Sequence, residues 1–333
     1  MTVPFKTWIE SSKPHMAGIW ISSAIVPATA AWVNGVFDLV TFAFEALLCW
    51  LLLTLSCYAD EYGDFENGVD NAHRLGPITP TQRGEIDKRS MKRALVVLGL
   101  EVALAGAALL AWSCLHALPS PQTAFEALAS ADAYALYELA LAADLPALAG
   151  FLAFGAVCIA AAYLYTMGGR PYGYAGLGDL AGFLFFGLVA GVGGYWLYGH
   201  TMDWAVTFPA AATGLMLAAS INLNNIRDME NDAAHGKITL AVRLGRKRAS
   251  AYHYALLASA CLLYLGFPVA HGMTHALHYV FVFAYLLVAK HAVDFCRVMH
   301  RRSLADLKPL MKPLVRAELA LTVAFAICMI LPC

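Results

Sequence analysis

The apolar stretch 204–222 runs directly into Asn224-Asn225-Ile226-Arg227-Asp228-Met229-Glu230-Asn231-Asp232, an Asn-x3-Asp-x3-Asp array. A stretch of this length and composition predicts a membrane-spanning helix. If the helix continues through the array, Asn224, Asp228 and Asp232 advance only about 40° per step and share one face. Their oxygen atoms are suitable ligands for Mg²⁺, which commonly shares its coordination with a substrate phosphate. The segment therefore predicts a helix that leaves the membrane at a metal-diphosphate site.

The composition predicts an all-α integral membrane protein. Hydrophobic residues make up 60% of the 333-residue chain and charged residues 14%, and the mean hydropathy is +0.62. Since one span needs about 20 mostly apolar residues, hydropathy alone predicts about nine spans. They lie near 15–34, 38–58, 93–114, 146–166, 180–198, 204–222, 250–270, 276–296 and 314–332. We expect a short N-terminal arm, 1–14, and one transmembrane domain, 15–333, with no separate soluble domain.

The distribution of basic residues supports these spans. With the N-terminus inside, all 22 Lys and Arg lie in, or near the ends of spans facing, the N-terminal arm and the loops after spans 2, 4, 6 and 8. The long stretch 115–145 on the opposite side contains none. This one-sidedness follows the positive-inside rule and places the C-terminus outside. The net charge of -1 hides the asymmetry and says nothing useful about nucleic-acid binding.

A second acidic segment follows span 2, in the loop 59–92. Asp60 and Asp64 are four residues apart and can share a helix face, whereas Asp70 is six residues beyond Asp64 and cannot lie on that face in a straight helix. Gly68 is expected to end the helix and to let Asp70 turn back. The first loop therefore predicts a second set of carboxylates.

The loops 59–92 and 223–249 are separated by four spans, so both are expected on the inner face. Each contains acids, then a glycine, then bases, a pattern that suggests a weak internal duplication. Acids at the end of a membrane helix often only face water, but two such loops on one face favour a shared site. Carboxylates brought this close repel one another unless cations lie between them. Bases expected to contact a bound diphosphate are Arg74, Arg170, Arg227 and Lys237.

Three segments together resemble the UbiA prenyltransferase superfamily. They are Asp64–Gly84, with Gly68-Val69-Asp70-Asn71 and Arg74-Leu75-Gly76-Pro77; Tyr165–Asp179, with Arg170-Pro171-Tyr172-Gly173-Tyr174; and Asn224–Gly245. They occur in the family's order, and the similarity runs over nearly the whole chain from about residue 15. Within the superfamily the chain looks most like the 1,4-dihydroxy-2-naphthoate prenyltransferases of menaquinone biosynthesis.

The resemblance implies nine transmembrane helices in a ring around a central cavity, capped by the two acidic loops on the cytoplasmic side of the inner membrane. It implies Mg²⁺-dependent transfer of a polyprenyl chain from its diphosphate to an aromatic acceptor. With dihydroxynaphthoate, CO₂ leaves and demethylmenaquinone forms. Motif positions carried over are Asp64 and Asp70 in the first loop, Asn224, Asp228 and Asp232 in the second, and Tyr165, Arg170, Arg227 and Lys237 for the diphosphate or the reacting centre.

One position departs from the family pattern. The first motif usually begins Asn-Asp, and here Asp60-Glu61 stands in its place. The Asp60 carboxylate can still be a Mg²⁺ ligand, but it adds negative charge, and Glu61 is one methylene longer than aspartate. Metal affinity or substrate preference is therefore expected to differ from that of the typical enzyme.

Several alternatives remain open from the sequence. The acceptor could instead be 1,4-dihydroxy-6-naphthoate, 4-hydroxybenzoate or homogentisate, and the prenyl chain length and oligomeric state are not specified. A transporter is disfavoured because its ionisable groups should lie near the bilayer midplane, and an inactive quinone-binding homologue is a third possibility. Glu45 and Glu101 lie inside spans and are expected to face the cavity. The glycines of 187–194 are expected to permit close helix packing.

Overall fold

The computed structural model describes residues 3–117, 126, 129–130, 132, 145–300 and 303–332. Within these ranges nine helices are long and apolar enough to cross a bilayer, which confirms the predicted fold class. A short helix, α1 (Phe5–Ser11), precedes them. The nine are α2 (Pro14–Val33), α3 (Leu39–Glu66), α4 (Lys88–Leu115), α5 (Pro146–Leu164), α6 (Gly178–Gly199), α7 (Trp204–Ala234), α8 (Leu240–Ala270), α9 (Ala276–Met299) and α10 (Leu304–Ile330).

Helix α7 lies at the centre of the packing. Of its apolar segment, 72% is buried inside the protein, compared with 11% for that of α5. It contacts α2, α6, α8 and α10. Its C-terminal end carries the Asn-x3-Asp-x3-Asp array. The most deeply buried of the nine described spanning helices therefore positions three of the predicted site residues.

Helix α6 approaches α7 closely because its contact positions are glycines. A Cβ atom on Gly187 would lie 2.7 Å from the Cα of Gly214, and one on Gly191 would lie 2.3 Å from the Cβ of Ala210. Both distances are too short for real atoms, so any larger residue would push the helices apart. The turns Phe183–Gly193 are π-helical, wider than those of an α-helix. The structure confirms that this glycine-rich stretch serves packing.

The two acidic helix ends extend beyond the hydrophobic spans predicted from the sequence. Helix α3 continues past residue 58 to Glu66, and this extension places Asp60 and Asp64 on the helix. Gly68 then adopts φ 73°, and the N–H groups of Val69 and Asp70 both donate to the Asp64 carbonyl, at 2.9 and 3.0 Å. The predicted helix end at this glycine is confirmed, and its positive φ turns the chain back over the helix.

Glu101 does not have the predicted position. Its side chain is exposed on α4 and borders a shallow groove with Trp8 and Arg93, whereas α4 lines the central cavity through Val102 and its neighbours. The expectation that it faces the cavity was wrong, because the cost of an ionisable group inside a span does not specify which helix face carries it. Most of the stretch 115–145 lies outside the described residues.

Candidate active site

A cavity of about 1550 Å³ lies between α3, α4, α5, α6 and α7. Apolar side chains line most of it, among them Leu52, Phe151 and Phe185. Its polar end is formed where α3 and α7 leave their apolar segments. The acidic and amide side chains that α3 and α7 contribute to this polar end are Asp60, Glu61, Asn224, Asn225, Asp228 and Asp232. The three members of the array thus share one face, as their spacing predicted.

The two acidic loops contact each other directly. The side chain of Asn71, in the first loop, donates from Nδ2 to Asn231 Oδ1 at 2.9 Å, and Asn231 Nδ2 donates to the Val69 carbonyl at 2.9 Å. These bonds join positions more than 150 residues apart in the chain. The prediction that the loops meet over one cavity is therefore confirmed by the geometry.

Arg74 bridges the acids of the two loops. Its guanidinium pairs with Asp70 through Nη1 and with Asp228 through Nε, the latter at 3.3 Å. Arg227 also donates to Asp228, with Nε–Oδ1 3.0 Å and Nη2–Oδ2 2.6 Å. A Cβ atom on Gly76 would lie 2.8 Å from Arg227 Nη2, so glycine is needed for the loop to pass over this guanidinium. Burial raises the pKa of Asp70 to about 6, although the neighbouring Arg74 opposes the rise.

Lys237 makes a second bridge between the loops. The turn after α7, in which the Lys237 N–H donates to the Asp232 carbonyl, directs this side chain toward α3. Its Nζ lies 2.6 Å from Asp64 Oδ2, and the Tyr174 hydroxyl donates to the other oxygen, Oδ1, at 2.9 Å. Burial opposes the charge of Lys237, but Asp64, Asp60 and Asp232 raise its pKa above the usual value. Lys237 therefore remains a fixed cation beside the acids.

Asp60 and Glu61, where the chain departs from the family pattern, have different surroundings. Asp60 lines the cavity and pairs with Lys13 of the N-terminal arm, Nζ–Oδ2 2.7 Å. The buried Glu61 accepts hydrogen bonds through Oε1 from the Thr81 N–H at 2.8 Å and from its hydroxyl at 2.6 Å. Both residues thus line the cavity, but Glu61 also anchors the end of the first loop, whereas Asp60 holds Lys13.

Tyr165 and Arg170 lie in the segment that follows α5. Tyr165 lines the cavity with Tyr172, and their rings make an edge contact at 5.5 Å. A Cβ atom on Gly173 would lie 2.6 Å from the Tyr165 carbonyl, so this glycine lets the segment fold closely around the ring. Arg170 is exposed and is not among the described residues that line the cavity. The structure does not bring Arg170 to the other predicted diphosphate ligands, and its role stays a prediction.

Glu45 faces the cavity, as predicted, but near its apolar part. It is 4% exposed, and the Tyr198 hydroxyl donates to its Oε2 at 3.0 Å. Gly194 lies against the other carboxyl oxygen of Glu45. A Cβ atom at position 194 would lie 1.8 Å from Oε1, so a larger residue there would displace the carboxyl group. The carboxyl group therefore joins α3 to α6.

Among the described residues, no three His, Cys, Asp or Glu side chains are already arranged as a metal site. Asp64, Asp70 and Asp228 instead form ion pairs with lysine and arginine. The donor chemistry nevertheless fits Mg²⁺, since carboxylate and amide oxygens line the polar end and a hard cation prefers oxygen ligands. Metal binding would require some of the present ion pairs to rearrange.

A model of the UbiA prenyltransferase family matches residues 133–316, more than half of the chain. The chain belongs to the UbiA prenyltransferase family. The match includes the second acidic array but not the first loop, which is covered by full-length relatives. The 1,4-dihydroxy-2-naphthoate octaprenyltransferase of Escherichia coli K12 is 33% identical over 97% of this chain and 94% of its own length. The enzyme of the same name from Haemophilus influenzae is 35% identical over 97% and 95%.

Solved structures independently support the UbiA fold. The apo structure of a UbiA homolog from Aeropyrum pernix K1 matches with a TM-score of 0.59 at 17% identity, covering 93% of this chain and 97% of that one. A digeranylgeranylglyceryl phosphate synthase matches with a TM-score of 0.58 at 14% identity, over 98% of each chain. This UbiA protein is thus a multi-pass membrane prenyltransferase with the nine-helix architecture expected from its sequence.

Some residues of the UbiA site were not predicted from the sequence. Tyr174 was part of a quoted motif but was given no role, and Lys13 was considered only as part of the N-terminal arm. Asn71 and Asn231 were likewise not expected to join the loops. Asn231, one residue before the last aspartate of the array, lies outside the Asn-x3-Asp-x3-Asp spacing, so the periodicity that predicts the array does not single it out.

Proposed function

We propose that this protein transfers a polyprenyl chain from its diphosphate to 1,4-dihydroxy-2-naphthoate, with loss of diphosphate and CO₂, giving the quinol form of demethylmenaquinone. One observation carries the proposal: two acid-rich and base-rich loops, bridged by Arg74 and Lys237, meet at the polar end of a long apolar cavity. A polyprenyl diphosphate has the same division, with an anionic head and an apolar tail. The full-length similarity to two naphthoate octaprenyltransferases favours dihydroxynaphthoate as the acceptor.

The bases of the polar end would bind and neutralise the leaving diphosphate. Arg227 and Lys237 are buried, Arg74 is partly buried, and all three line the cavity, so they can donate to diphosphate oxygens with little reorganisation of water. Mg²⁺, when bound by oxygen ligands among Asp60, Asp64, Asn224, Asp228 and Asp232, would supply further neutralisation of the developing charge. As the carbon–oxygen bond of the prenyl diphosphate breaks, its electron pair leaves with the diphosphate.

The aromatic groups beside the polar end would protect the allylic cation. The faces of Tyr165 and Tyr172 can stabilise positive charge. The apolar walls exclude water, which would otherwise react with the cation. The electron-rich ring carbon of the acceptor then forms the new carbon–carbon bond, and loss of CO₂ returns its electron pair to the ring.

We also propose that the two loops face the cytoplasm, with the N-terminus inside and the C-terminus outside in a bacterial inner membrane. The described basic residues before α2, in the connections after α3, α5 and α7, and at the start of α10 support this orientation under the positive-inside rule. Labelling of single cysteines introduced into a cysteine-free variant at Gly236 and at Gly272 would test it. We expect only Gly236→Cys to be protected from an impermeant reagent in intact cells, and the reverse pattern would overturn this orientation.

The activity is tested by incubating membranes containing the protein with Mg²⁺, a set of prenyl diphosphates and each candidate acceptor. Mass spectrometry should detect a prenylated, decarboxylated product from 1,4-dihydroxy-2-naphthoate, with release of diphosphate. Asp228→Ala should remove both signals, whereas Asp294→Ala, at a partly exposed aspartate on α9 that does not line the cavity, should keep them. Efficient turnover of another acceptor in place of the naphthoate, or full activity of Asp228→Ala, would contradict the proposal.

A further inference from the structure

A second group of bases borders the cavity outside the two acidic loops. It comprises Lys6 and Lys13 of the N-terminal segment and Lys308 and Lys312 at the start of α10. Helix α10 packs against α2, so the two parts of this group, from opposite ends of the chain, meet at the same polar end. The acidic loops do not require these lysines, because Arg74 and Lys237 already join them.

Lys13 is the most enclosed lysine of this group. Its side chain is 28% exposed, while Lys6, Lys308 and Lys312 are exposed. Its Nζ donates to Asp60 at 2.7 Å, and an ammonium group has three N–H donors, so two remain for another ligand. Lys13 directly precedes the turn Pro14–Met16, which packs against α10, and both Lys13 and Lys312 line the cavity.

The N-terminal segment is held in this position by contacts other than that of Lys13. The Tyr58 hydroxyl donates to the Trp8 carbonyl at 2.8 Å, and the two rings lie 5.6 Å apart. Arg83 makes a two-pronged ion pair with Glu10, both distances being 2.9 Å. The charge of Lys13 is therefore presented to the cavity by a tethered segment.

The depth of Lys13 distinguishes it from Lys237 among the bases expected to bind diphosphate. Its partner Asp60 lies one helical turn, about 6 Å, nearer to the apolar body of the cavity than Asp64, the partner of Lys237. The reacting carbon of a prenyl diphosphate lies on the tail side of the phosphates. An acceptor positioned to attack that carbon must therefore lie at about the depth of Lys13.

We propose that Lys13, with Lys312 beside it, binds the carboxylate of the aromatic acceptor. This inference rests on the proposed function, in which two anionic substrates enter one cavity. Arg74, Arg227 and Lys237 attract the diphosphate, and a separate cation keeps the second anion from competing for the same charges. An ammonium–carboxylate hydrogen bond in a partly desolvated site is strong enough to orient the ring. Lys13 is thereby a specificity-determining residue for carboxylated acceptors.

Steady-state kinetics of Lys13→Met tests the assignment. We expect the KM for dihydroxynaphthoate to rise about tenfold or more, as the loss of a charged hydrogen bond predicts, while the KM for the prenyl diphosphate changes less than twofold. Lys13→Arg should restore most of the acceptor affinity, and Lys312→Met should shift the same KM by a smaller factor. A rise in the KM for the prenyl diphosphate instead would assign Lys13 to the diphosphate and overturn the proposal.

A pair of inhibitors separates carboxylate binding from a structural effect. In the unmodified protein, 1-hydroxy-2-naphthoate should bind more tightly than 1-naphthol, which lacks the carboxylate, and Lys13→Met should abolish this preference. Asp306→Asn, at an exposed position on α10, leaves Lys13 and its tether intact, so it should retain the preference. An unchanged preference in both Lys13→Met and Lys312→Met, its loss in Asp306→Asn, or its dependence on anionic lipid in the vesicles would overturn the proposal.

Direct binding distinguishes a failure of this inference from a failure of the proposed function. Calorimetric titration of the purified protein with the two inhibitors needs no turnover. If the protein prenylates a different acceptor, or none, the proposed function fails, while the effect of Lys13→Met on the carboxylate preference still decides the role of Lys13.

Discussion

At the scale of single residues, the central feature is that four acids of the site, Asp60, Asp64, Asp70 and Asp228, already have a cationic partner. Asp64 illustrates this arrangement, because Lys237 contacts one of its oxygens and the Tyr174 hydroxyl the other. The carboxylate is thereby fixed in orientation before any substrate arrives. A neutral amide of the same shape would keep the packing but not the charge.

Asp64→Asn is therefore expected to abolish turnover, with a loss of at least about a hundredfold, the scale associated with one preorganised electrostatic group. Asp232→Asn should have the same effect. The measurement is the rate of demethylmenaquinone formation, with thermal unfolding in detergent as the check on folding. Asp306→Asn, at an exposed position on α10, is the matched control. Substantial activity in both site variants would count against their assignment.

Glu61 should contribute to stability rather than to chemistry. Its carboxylate accepts two buried hydrogen bonds from Thr81, and Glu61→Ala would leave the Thr81 N–H without its acceptor, at a cost of about 1–3 kcal/mol. We expect a lower Tm and faster tryptic cleavage between α3 and α4. Glu61→Gln keeps an acceptor oxygen and should be milder. If Glu61→Ala instead lost activity at unchanged Tm, the residue would belong to the reacting site.

The roles of individual residues could be predicted only in part. The array of Asn224, Asp228 and Asp232 was predictable because helical periodicity is local information. The pairing of Lys13 with Asp60 and of Tyr174 with Asp64 was not, since nothing in either segment specifies a partner 47 or 110 residues away. Arg170 shows that a motif position alone can also mislead. It was predicted to contact the diphosphate, but its side chain is exposed and does not border the cavity.

At the scale of the elements, helix ends were harder to predict than helix centres. Hydropathy placed all nine spans, but α3 and α7 continue as helices after their sequences become polar. They can do so because the polar turns pack against each other, so the backbone remains ordered where lipid no longer surrounds it. Gly68, in contrast, was correctly predicted to end α3 since positive φ strongly favours glycine.

The contact between α6 and α7 leads to a prediction about stability. Gly187→Ala introduces a methyl group 2.7 Å from the α7 backbone, so we expect a destabilisation of about 1–3 kcal/mol from overpacking. Gly155→Ala, on α5, has no heavy atom within 4 Å of the added carbon and should be neutral or slightly stabilising. Thermal unfolding in the same detergent measures both. Equal Tm values for the two variants would contradict the close packing described here.

At the scale of the whole molecule, internal charge compensation makes the fold independent of metal. Arg74, Arg227 and Lys237 neutralise acids that would otherwise repel one another. Chelation of divalent cations should therefore abolish turnover but change the Tm of the substrate-free protein little, and Mg²⁺ should restore activity. A large fall in Tm on chelation would show instead that the metal is required for the acidic loops to remain together.

The ring of helices and its cavity followed from hydropathy and from the family resemblance, but the lining of the cavity did not. Glu45 and Glu101 are both acids within spans, yet only Glu45 reaches the cavity. Which side of each helix turns inward depends on the packing of all its neighbours. Sequence patterns along one helix do not contain that information when lipid and cavity are both apolar.

The bridges made by Arg74 and Lys237 also constrain the order in which the protein can mature. The aspartate that pairs with Arg74 is synthesised 154 residues after it, and the lysine that pairs with Asp64 is synthesised 173 residues after it. At a synthesis rate of about 5–20 residues per second, the interval is roughly ten to thirty seconds. During that interval the acidic loop between α3 and α4 lacks its partners Asp228 and Lys237, which have not yet been synthesised. The first loop can therefore adopt its bridged conformation only after the ribosome has synthesised the end of α7 and the turn that follows it.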